Sequence, residues 1–254
     1  MCELLGLAFN QPVTVHISFR GFRHRGQDNP HGWGLAWFHE GRPEIQKEER
    51  PPAHLSKTAS NLLNSPIVSH IFIGHVRLAS RGDLKPENTH PFCQDFHGTP
   101  VVFAHNGTLR NLPKPPHFKP DGETDSQQAF CLLLSWMQEE QIAFTDFPKI
   151  EHWLRQLNHS GSMNLLFSNG TELFAYRDAN GYKSLCLTHR KAPFPVVTLQ
   201  DEDWRIDLSE VKKPSERGFV IATRPLTDEH WTELRPGSLL VIREGKAVYG
   251  DPRA

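Results

Sequence analysis

The chain is predicted to fold as an α+β protein in which β-sheets are packed between layers of helices. Three observations predict this class: many short segments have strand-like patterns, the helical patterns fall into two clusters, and no repeat occurs in the 254 residues. No linker-like composition divides the chain, so we expect one domain covering residues 2–254. A domain of this size can bury an adequate core without disulfides or metals.

The first half of the chain is expected to contribute five strands and two helices. Short apolar runs rich in β-branched residues are typical of buried strands, whereas apolar residues spaced three or four apart indicate helices. Glu40-Gly41-Arg42 has the composition of a turn between two paired strands. The expected strands are 4–9, 32–38, 44–47, 67–76 and 101–105, and the expected helices are 13–22 and 55–63.

The second half begins with a loop at 112–121, where four prolines disfavour regular structure. Thr124-Asp125-Ser126 is then a good helix start, and a second helix is expected at 147–157. Asn169-Gly170 is typical of a tight hairpin turn. The remaining expected strands are 164–168, 172–176, 219–223, 239–242 and 247–249.

Composition excludes several classes of function. The formal net charge is -1 and no block of like charge is long, so no footprint for nucleic acid or an anionic membrane surface is expected. The four cysteines are widely spaced without a CxxC motif, which argues against a zinc site and a disulfide framework. No signal peptide or membrane-spanning stretch is visible, so a cytoplasmic location is expected. The 15 histidines form no metal-binding motif, and we expect His70 and His75 to be hydrogen-bonded residues of the core or of a strand end.

Cys2 is the strongest candidate for a nucleophile. Removal of Met1 would make it the N-terminal residue, with a thiol and a free α-amine on the same Cα. The amine, with an ordinary pKa of roughly 7.7–8.0, can act as a base at neutral pH. A thiol that carries its own base is an activated nucleophile.

Four further segments contain polar, charged or glycine residues that could act together with Cys2. They are Arg25-Gly26-Gln27-Asp28 with Gly32-Trp33-Gly34, the segment 74–80 around Arg77, the segment 105–109 around Asn106-Gly107, and the segment 122–126 around Asp125. Each has a simpler interpretation when taken alone. Arg77 could be a solvated charge at a strand end, Asp125 a helix cap, and Asn106-Gly107 a tight turn.

Together with Cys2, the order and spacing of these segments resemble the class-II glutamine amidotransferase domain of the N-terminal-nucleophile (Ntn) hydrolases, over nearly the whole chain. The resemblance implies a four-layer αββα sandwich with two antiparallel sheets between helix layers. It implies that Cys2 attacks the amide and that Asn106 and Gly107 stabilise the oxyanion. The substrate's α-carboxylate and α-ammonium would then be held by Arg77 and Asp125, with a positioning role for His90. It implies no cofactor and no metal.

The sequence departs from the family pattern after Arg77. Leu78 stands where sugar- and purine-forming members commonly have Trp, and Ser80-Arg81-Gly82 is also altered. We therefore expect either glutamine or another γ-glutamyl compound as the substrate. Because the sequence ends at Ala254 without an ammonia-using domain, the resemblance is to the stand-alone, YafJ-like type, and an unidentified partner protein would accept the ammonia.

The leading hypothesis is thus glutaminase-type hydrolysis of a γ-glutamyl amide through a thioester on Cys2, with release of ammonia. One alternative is a dedicated γ-glutamyl hydrolase of a thiol or peptide metabolite, similar to the enzymes of ergothioneine or glutathione metabolism. A second alternative is a non-catalytic regulatory subunit that retains the fold.

Overall fold

The computed structural model describes residues 2–79 and 82–252. The expectations for Met1 removal, for the altered Ser80-Arg81 pair and for the end of the domain at Ala254 lie outside these residues. In chain order the strands are β1 (Glu3–Thr14), β2 (Trp33–His39), β3 (Arg42–Glu48), β4 (Val68–Val76), β5 (Phe92–Phe96), β6 (Thr99–Leu109), β7 (Gly161–Ser168), β8 (Glu172–Tyr176), β9 (Cys186–Lys191), β10 (Val196–Thr198), β11 (Arg205–Asp207), β12 (Arg217–Ala222), β13 (Thr232–Glu233), β14 (Leu239–Arg243) and β15 (Lys246–Tyr249). The helices are α1 (His16–His24), α2 (Lys57–Leu62), α3 (Asp125–Glu139), α4 (Phe147–Asn158) and α5 (Leu208–Val211).

Two antiparallel sheets form the centre of the fold. The first sheet has the strand order β13-β9-β12-β1-β4-β2-β3, and the second has the order β15-β14-β8-β7-β6-β5. Strands β10 and β11 form a separate pair. Strand β1 is central in the first sheet, because it pairs with β12 on one side and with β4 on the other.

Three apolar cores separate four layers. One core joins the first sheet to α1 and α2, one lies between the sheets, and one joins the second sheet to α3 and α4. Sheets and helices with one apolar face are stable only when such faces are packed together. The chain is therefore an αββα sandwich, and the predicted fold class is confirmed.

Strand β1 shows how the sequence produces this layering. Leu4 and Ala8 belong to the core between the sheets, whereas Leu5, Leu7 and Phe9 belong to the core beneath the helices. Side chains alternate between the two faces of a strand, so a strand covered on both faces needs an uninterrupted apolar run. The apolar run at 4–9 meets that requirement.

The structure corrects three expectations about local structure. Val13 and Thr14 pair with Ser69 and Val68 across a register shift, so β1 continues there and α1 begins only at His16. Strand β6 continues beyond its expected end at His105, so Asn106-Gly107 lies inside the strand, opposite β7. Strands β5, β9 and β13 and the small pair β10–β11 were not predicted.

Other expectations are confirmed. The hairpin of β7 and β8 closes around Asn169-Gly170, and Thr124 caps α3 by accepting a hydrogen bond from the Gln127 N–H. The proline-rich loop at 112–121 contains no helix or strand. No helix in the described part of the chain is long and apolar enough to cross a membrane.

Candidate functional site

Cys2 lies immediately before β1 and contacts the chain that follows β4. Its Sγ is 3.3 Å from the N–H of Leu78 and 3.4 Å from the Leu78 carbonyl oxygen. Burial raises the pKa of the Cys2 thiol, and the Leu78 backbone and the charge of Arg77 offset part of that shift. A thiol in this environment is mostly protonated at neutral pH, so it needs a base to react.

Arg77 directly follows β4 and is 3% exposed. Its guanidinium donates to the carbonyl oxygens of Gly82 and Asp83, at 3.2 and 3.3 Å. Its backbone N–H donates to the Gly32 carbonyl at 2.8 Å, within the segment singled out in the sequence. Arg77 is therefore fixed at the strand end beside Cys2, and it also holds the start of the next loop.

A buried asparagine braces that loop against the start of α3. The Asn88 amide donates to the Asp83 carbonyl at 3.2 Å and accepts from the Glu123 N–H at 2.9 Å. Space around it is tight, because a Cβ on Gly122 would lie 2.4 Å from the Asn88 Oδ1. The segments around Arg77 and Asp125, far apart in sequence, are thus held together.

Asn106 and Gly107 lie in the part of β6 that has a partner strand on one side only. The Arg110 N–H donates to Ser160 and the Thr108 N–H to the Ser162 hydroxyl, both on the β7 side. Since N–H groups alternate between the two edges of a strand, the Gly107 N–H is directed towards the other, unpaired edge. A side chain is excluded at Gly107, because a Cβ there would lie 2.0 Å from the Ser162 carbonyl oxygen.

The Asn106 side chain is 1% exposed, and its Nδ2 has no hydrogen-bond partner among the described residues. Leaving a buried donor unsatisfied costs roughly 1–3 kcal/mol, so such groups call for an explanation. An amide N–H₂ next to an outward backbone N–H is the pair of donors that an oxyanion requires.

Asp125 is the first residue of α3, and it lies next to the same edge of β6. Its Oδ2 accepts a hydrogen bond of 2.7 Å from the Leu109 N–H, two residues beyond Gly107. The carboxylate is partly exposed. A negative charge at the N-terminus of a helix is also favoured by the helix dipole.

Three buried histidines, His75, His90 and His105, lie between the two sheets in this region. The ring of His90 lies 4.2 Å from that of His75 and 4.1 Å from that of Phe92, measured between centroids. The His105 Nδ1 is 2.8 Å from the Ser126 hydroxyl, and its Nε2 is 3.2 Å from the Ser162 carbonyl.

Burial keeps all three rings neutral. It lowers the pKa of His75 to about 3, with smaller contributions from the charges of Arg77 and His105. It also lowers the pKa of His90 well below its ordinary value, and lowers that of His105, which the Asp125 charge partly restores. The charges that act on these rings come from Arg77, Asp125, Lys47 and Asp178.

Unsatisfied polar atoms are concentrated here. Within residues 2–79 and 82–252, nine buried side-chain nitrogen or oxygen atoms lack a hydrogen-bond partner, and five of them belong to His75, His90 and Asn106. His70 is hydrogen-bonded as expected, 3.2 Å from the Phe9 carbonyl oxygen. His75 is a core residue near the end of β4, as expected, but neither of its ring nitrogens has a hydrogen-bond partner of good geometry among the described residues.

The structure thus brings the sequence-predicted residues towards one end of the sandwich. Arg77 adjoins Cys2 through Leu78, Asp125 adjoins Gly107 through Leu109, and the histidines lie between the sheets. No role was predicted for His105, although its position directly before Asn106-Gly107 could have indicated that it belongs to the site. All four cysteines are free thiols, and the described residues contain no group of three or more His, Cys, Asp or Glu that could hold a metal ion.

Comparison with known proteins identifies the family. Residues 1–252 match the family model of class-II glutamine amidotransferases. The chain is 36% identical to YafJ of Escherichia coli, provisionally named a glutamine amidotransferase, over 98% of this chain and 100% of that protein. It is 40% identical to an uncharacterised protein of Methanocaldococcus jannaschii, over 100% of this chain and 72% of that protein.

Solved structures have the same fold as this chain. A protein of Pseudomonas aeruginosa, named as a predicted glutamine amidotransferase, aligns with a TM-score of 0.74 and 28% identity, covering 98% of this chain and 100% of that one. The glutamine phosphoribosylpyrophosphate amidotransferase of B. subtilis shares the fold, with a TM-score of 0.66 and 18% identity over 97% of this chain and 48% of that one. The chain therefore belongs to the class-II glutamine amidotransferases, enzymes that transfer or hydrolyse the amide of glutamine.

Proposed function

We propose that the protein hydrolyses the amide of glutamine, or of another γ-glutamyl compound, through a thioester on Cys2. The observation that carries this proposal is the pair of donors at 106–107. The Asn106 Nδ2 is buried without a hydrogen-bond partner in residues 2–79 and 82–252, and the Gly107 N–H is directed to the unpaired edge of β6. A structural asparagine would have used its donors, whereas an oxyanion-stabilising one keeps them for the reaction.

The reaction begins with attack of the Cys2 sulfur on the γ-carbonyl carbon. The thiol proton passes to the α-amine that removal of Met1 exposes, and the carbonyl electrons move to oxygen, where Asn106 and Gly107 stabilise the charge. Collapse of this intermediate breaks the C–N bond, and the α-amine returns the proton to the departing amine. Water then attacks the thioester, which releases glutamate and restores the thiol.

The amino acid head of the substrate is assigned to Arg77 and Asp125. A guanidinium can bind the α-carboxylate with two parallel hydrogen bonds, and a carboxylate can pair with the α-ammonium. Both residues lie beside the reacting groups, Arg77 next to Cys2 and Asp125 next to the edge that carries Gly107. His90 is proposed to position this region through its contact with His75.

A specific observation also favours the dedicated γ-glutamyl hydrolase as a second candidate. Leu78 touches the Cys2 sulfur through its backbone, and its side chain is short and partly buried. A short side chain at this place leaves more room beside the nucleophile than an aromatic one. Larger γ-glutamyl amides would then be accepted as well as glutamine.

We further propose that residues 2–254 form one amidotransferase domain and that a partner protein uses any ammonia released. The family model, which matches residues 1–252, supports the first part. Co-purification of the tagged protein from cells, followed by measurement of ammonia incorporation by the bound protein, tests the second.

The function is tested with protein whose N-terminus is established by intact mass. Protein that starts at Cys2 should hydrolyse glutamine or γ-glutamyl anilide but not N-acetylglutamine, which lacks the α-ammonium. Cys2→Ala should be folded and inactive, and a glutamine-analogue diazoketone should alkylate Cys2. Cys93→Ala, which removes another partly buried thiol, is the matched control and should retain activity.

Two results would contradict the proposal. One is full activity of a variant that carries an extra residue before Cys2, because its amine could not act as the base. The other is equal turnover of glutamine and N-acetylglutamine, which would remove Asp125 from the binding site.

A further inference from the structure

Glu3, the residue after Cys2, has a buried carboxylate that no step of the proposed reaction uses. It is 2% exposed, and the Thr223 hydroxyl donates a hydrogen bond to it. Three cations surround it: Arg25 Nη1 at 3.4 Å from Oε2, Lys183 Nζ at 3.4 Å from Oε1, and Arg224 Nε at 3.3 Å from Oε1. Removing the partner of a buried charge is strongly destabilising, so these contacts fix Glu3 firmly.

The partners of Glu3 come from parts of the chain that are far apart. Arg25 follows α1, Lys183 lies in the connection between β8 and β9, and Arg224 follows β12. Arg25 is itself held by Asp201 at 3.2 Å and by the Pro225 carbonyl at 2.7 Å. This contact gives a role to the Arg25-Gly26-Gln27-Asp28 segment, for which the proposed chemistry has none.

Glu3 does not face the candidate site. It lies opposite Val76 in the β1–β4 pair, and Val76 belongs to the core beneath α1 and α2. The next pair, Leu4 and His75, is directed to the other side of the sheet, where Leu4 packs between the sheets. Any effect of Glu3 on the reaction must therefore pass through the backbone or through its charge.

We propose that Glu3 is a positioning residue that holds the N-terminal nucleophile in place, an inference that rests on the function proposed above. Terminal residues fray unless they are tied down. Cys2 directly precedes Glu3, the first residue of β1, so the anchored Glu3 side chain fixes the chain next to the thiol. The anchor keeps the Cys2 sulfur against Leu78 and keeps the freed amine within reach of it.

The charge of Glu3 has a second effect on Cys2. Glu3 and Asp201 carry two negative charges, and the three cations around Glu3 carry three positive charges. The cluster therefore has one excess positive charge. Among the described residues, Cys2 also interacts electrostatically with Arg77 and Tyr182, and the His31 ring lies nearby, 2.9 Å from the Ala79 N–H. Burial raises the pKa of the Tyr182 phenol, and the charges of Cys2, Asp178 and Glu3 add to that shift. Neutralising Glu3 would add a further uncompensated positive charge beside the amine and the thiol.

The test compares Glu3→Gln, Glu3→Asp and the wild type. Glu3→Gln should lower kcat about 10-fold or more, with KM changed less than about twofold. The acidic limb of the kcat/KM profile should move to lower pH by about 0.5 to 1 unit, because the added positive charge favours the neutral amine. Glu3→Asp, which keeps the charge, should restore the pH profile and part of kcat.

Glu172→Gln is the matched control. Glu172 is 3% exposed and accepts a hydrogen bond of 2.7 Å from Arg243, at the end of the second sheet away from Asn106. This variant should lose thermal stability but keep the wild-type kcat and pH profile. If Glu3→Gln does not fold, Lys183→Gln and Arg224→Gln replace it, and each should lower kcat several-fold.

A readout independent of turnover separates this inference from the proposed function. The rate of Cys2 alkylation by iodoacetamide is measured by peptide mass spectrometry as a function of pH. The pH at which this rate increases should be lower for Glu3→Gln than for the wild type. Folded Glu3 variants with unchanged kcat, pH profile and alkylation would overturn the positioning role. Activity in Cys2→Ala would overturn the proposed function, whatever the alkylation of the Glu3 variants shows.

Discussion

The two sides of the first sheet differ sharply near Cys2. On the side facing α1, the Glu3 carboxylate has a donor for each oxygen and three neighbouring cations. On the side facing the second sheet, neither ring nitrogen of His75 or His90 and no donor of the Asn106 Nδ2 has a hydrogen-bond partner within the part of the chain that the structure describes. In the first cluster both carboxylate oxygens are bonded within the fold, whereas the second cluster retains polar atoms that a substrate could use. The predictions below compare residues of the candidate site with residues of the same type elsewhere in the fold.

The largest effect is expected for Asn106→Ala. Loss of one oxyanion donor typically lowers kcat by about 10²–10³, with less change in KM. Stability should change little, because the Asn106 Nδ2 has no hydrogen bond to lose among the residues that the structure describes. Steady-state kinetics and thermal unfolding together check this prediction.

Asn158→Ala is its control. Asn158 is also buried, but its amide bonds Gly161, Asp178, Tyr176 and Ala179. Its loss should cost stability and leave kcat near wild type in the folded fraction. An Asn106→Ala enzyme with normal kcat and raised KM would instead assign Asn106 to ground-state binding.

A smaller effect is expected for Arg77→Lys. An ammonium cannot make the two parallel bonds of a guanidinium, and the loss of one charge-assisted bond, worth about 1.5–3 kcal/mol, raises KM roughly 10- to 100-fold. Arg190→Lys is the control, since Arg190 is also 3% exposed but is paired with Glu229 away from the site. Similar KM values for the two variants would argue against carboxylate binding by Arg77.

The smallest effect concerns stability at low pH. The pKa of His75 is about 3 in the folded protein, whereas an unfolded histidine titrates near 6.5. Between these two pH values the unfolded chain binds a proton at His75 and the folded chain does not. The free energy of unfolding therefore falls as the pH is lowered, by about 1.4 kcal/mol per pH unit. His75→Phe should reduce this slope.

Urea unfolding at pH 7, 5.5 and 4.5 measures the slope. His39→Gln, at an exposed position of β2, should leave it unchanged. An equal slope in His75→Phe and wild type would mean that His75 is not kept neutral by the fold.

Sequence patterns predicted the layers of the fold, because a strand covered on both faces, such as β1, must be apolar along its length. Such an apolar run can be seen directly in the sequence. They failed where a contact with a distant residue decides the local structure. Asn106-Gly107 has the composition of a turn, yet it is extended because β7 pairs along it and the Ser162 carbonyl excludes any side chain at Gly107. The residues of the site were recognisable as a set, whereas the free donor of Asn106 and the anchoring of Glu3 depend on neighbours that no local pattern reveals.

The long-range contacts of β1 also bear on the order of events during synthesis. Leu4 is hydrogen-bonded to Thr223, 219 residues later in the chain. At about 5–20 residues per second, a ribosome needs roughly 10 to 40 s to make the segment between them. Until then, neither β12 nor the last partners of Glu3 exist to enclose the start of the chain. Under the function proposed above, an aminopeptidase that removes Met1 would have this interval in which to act, before folding completes the environment of Cys2.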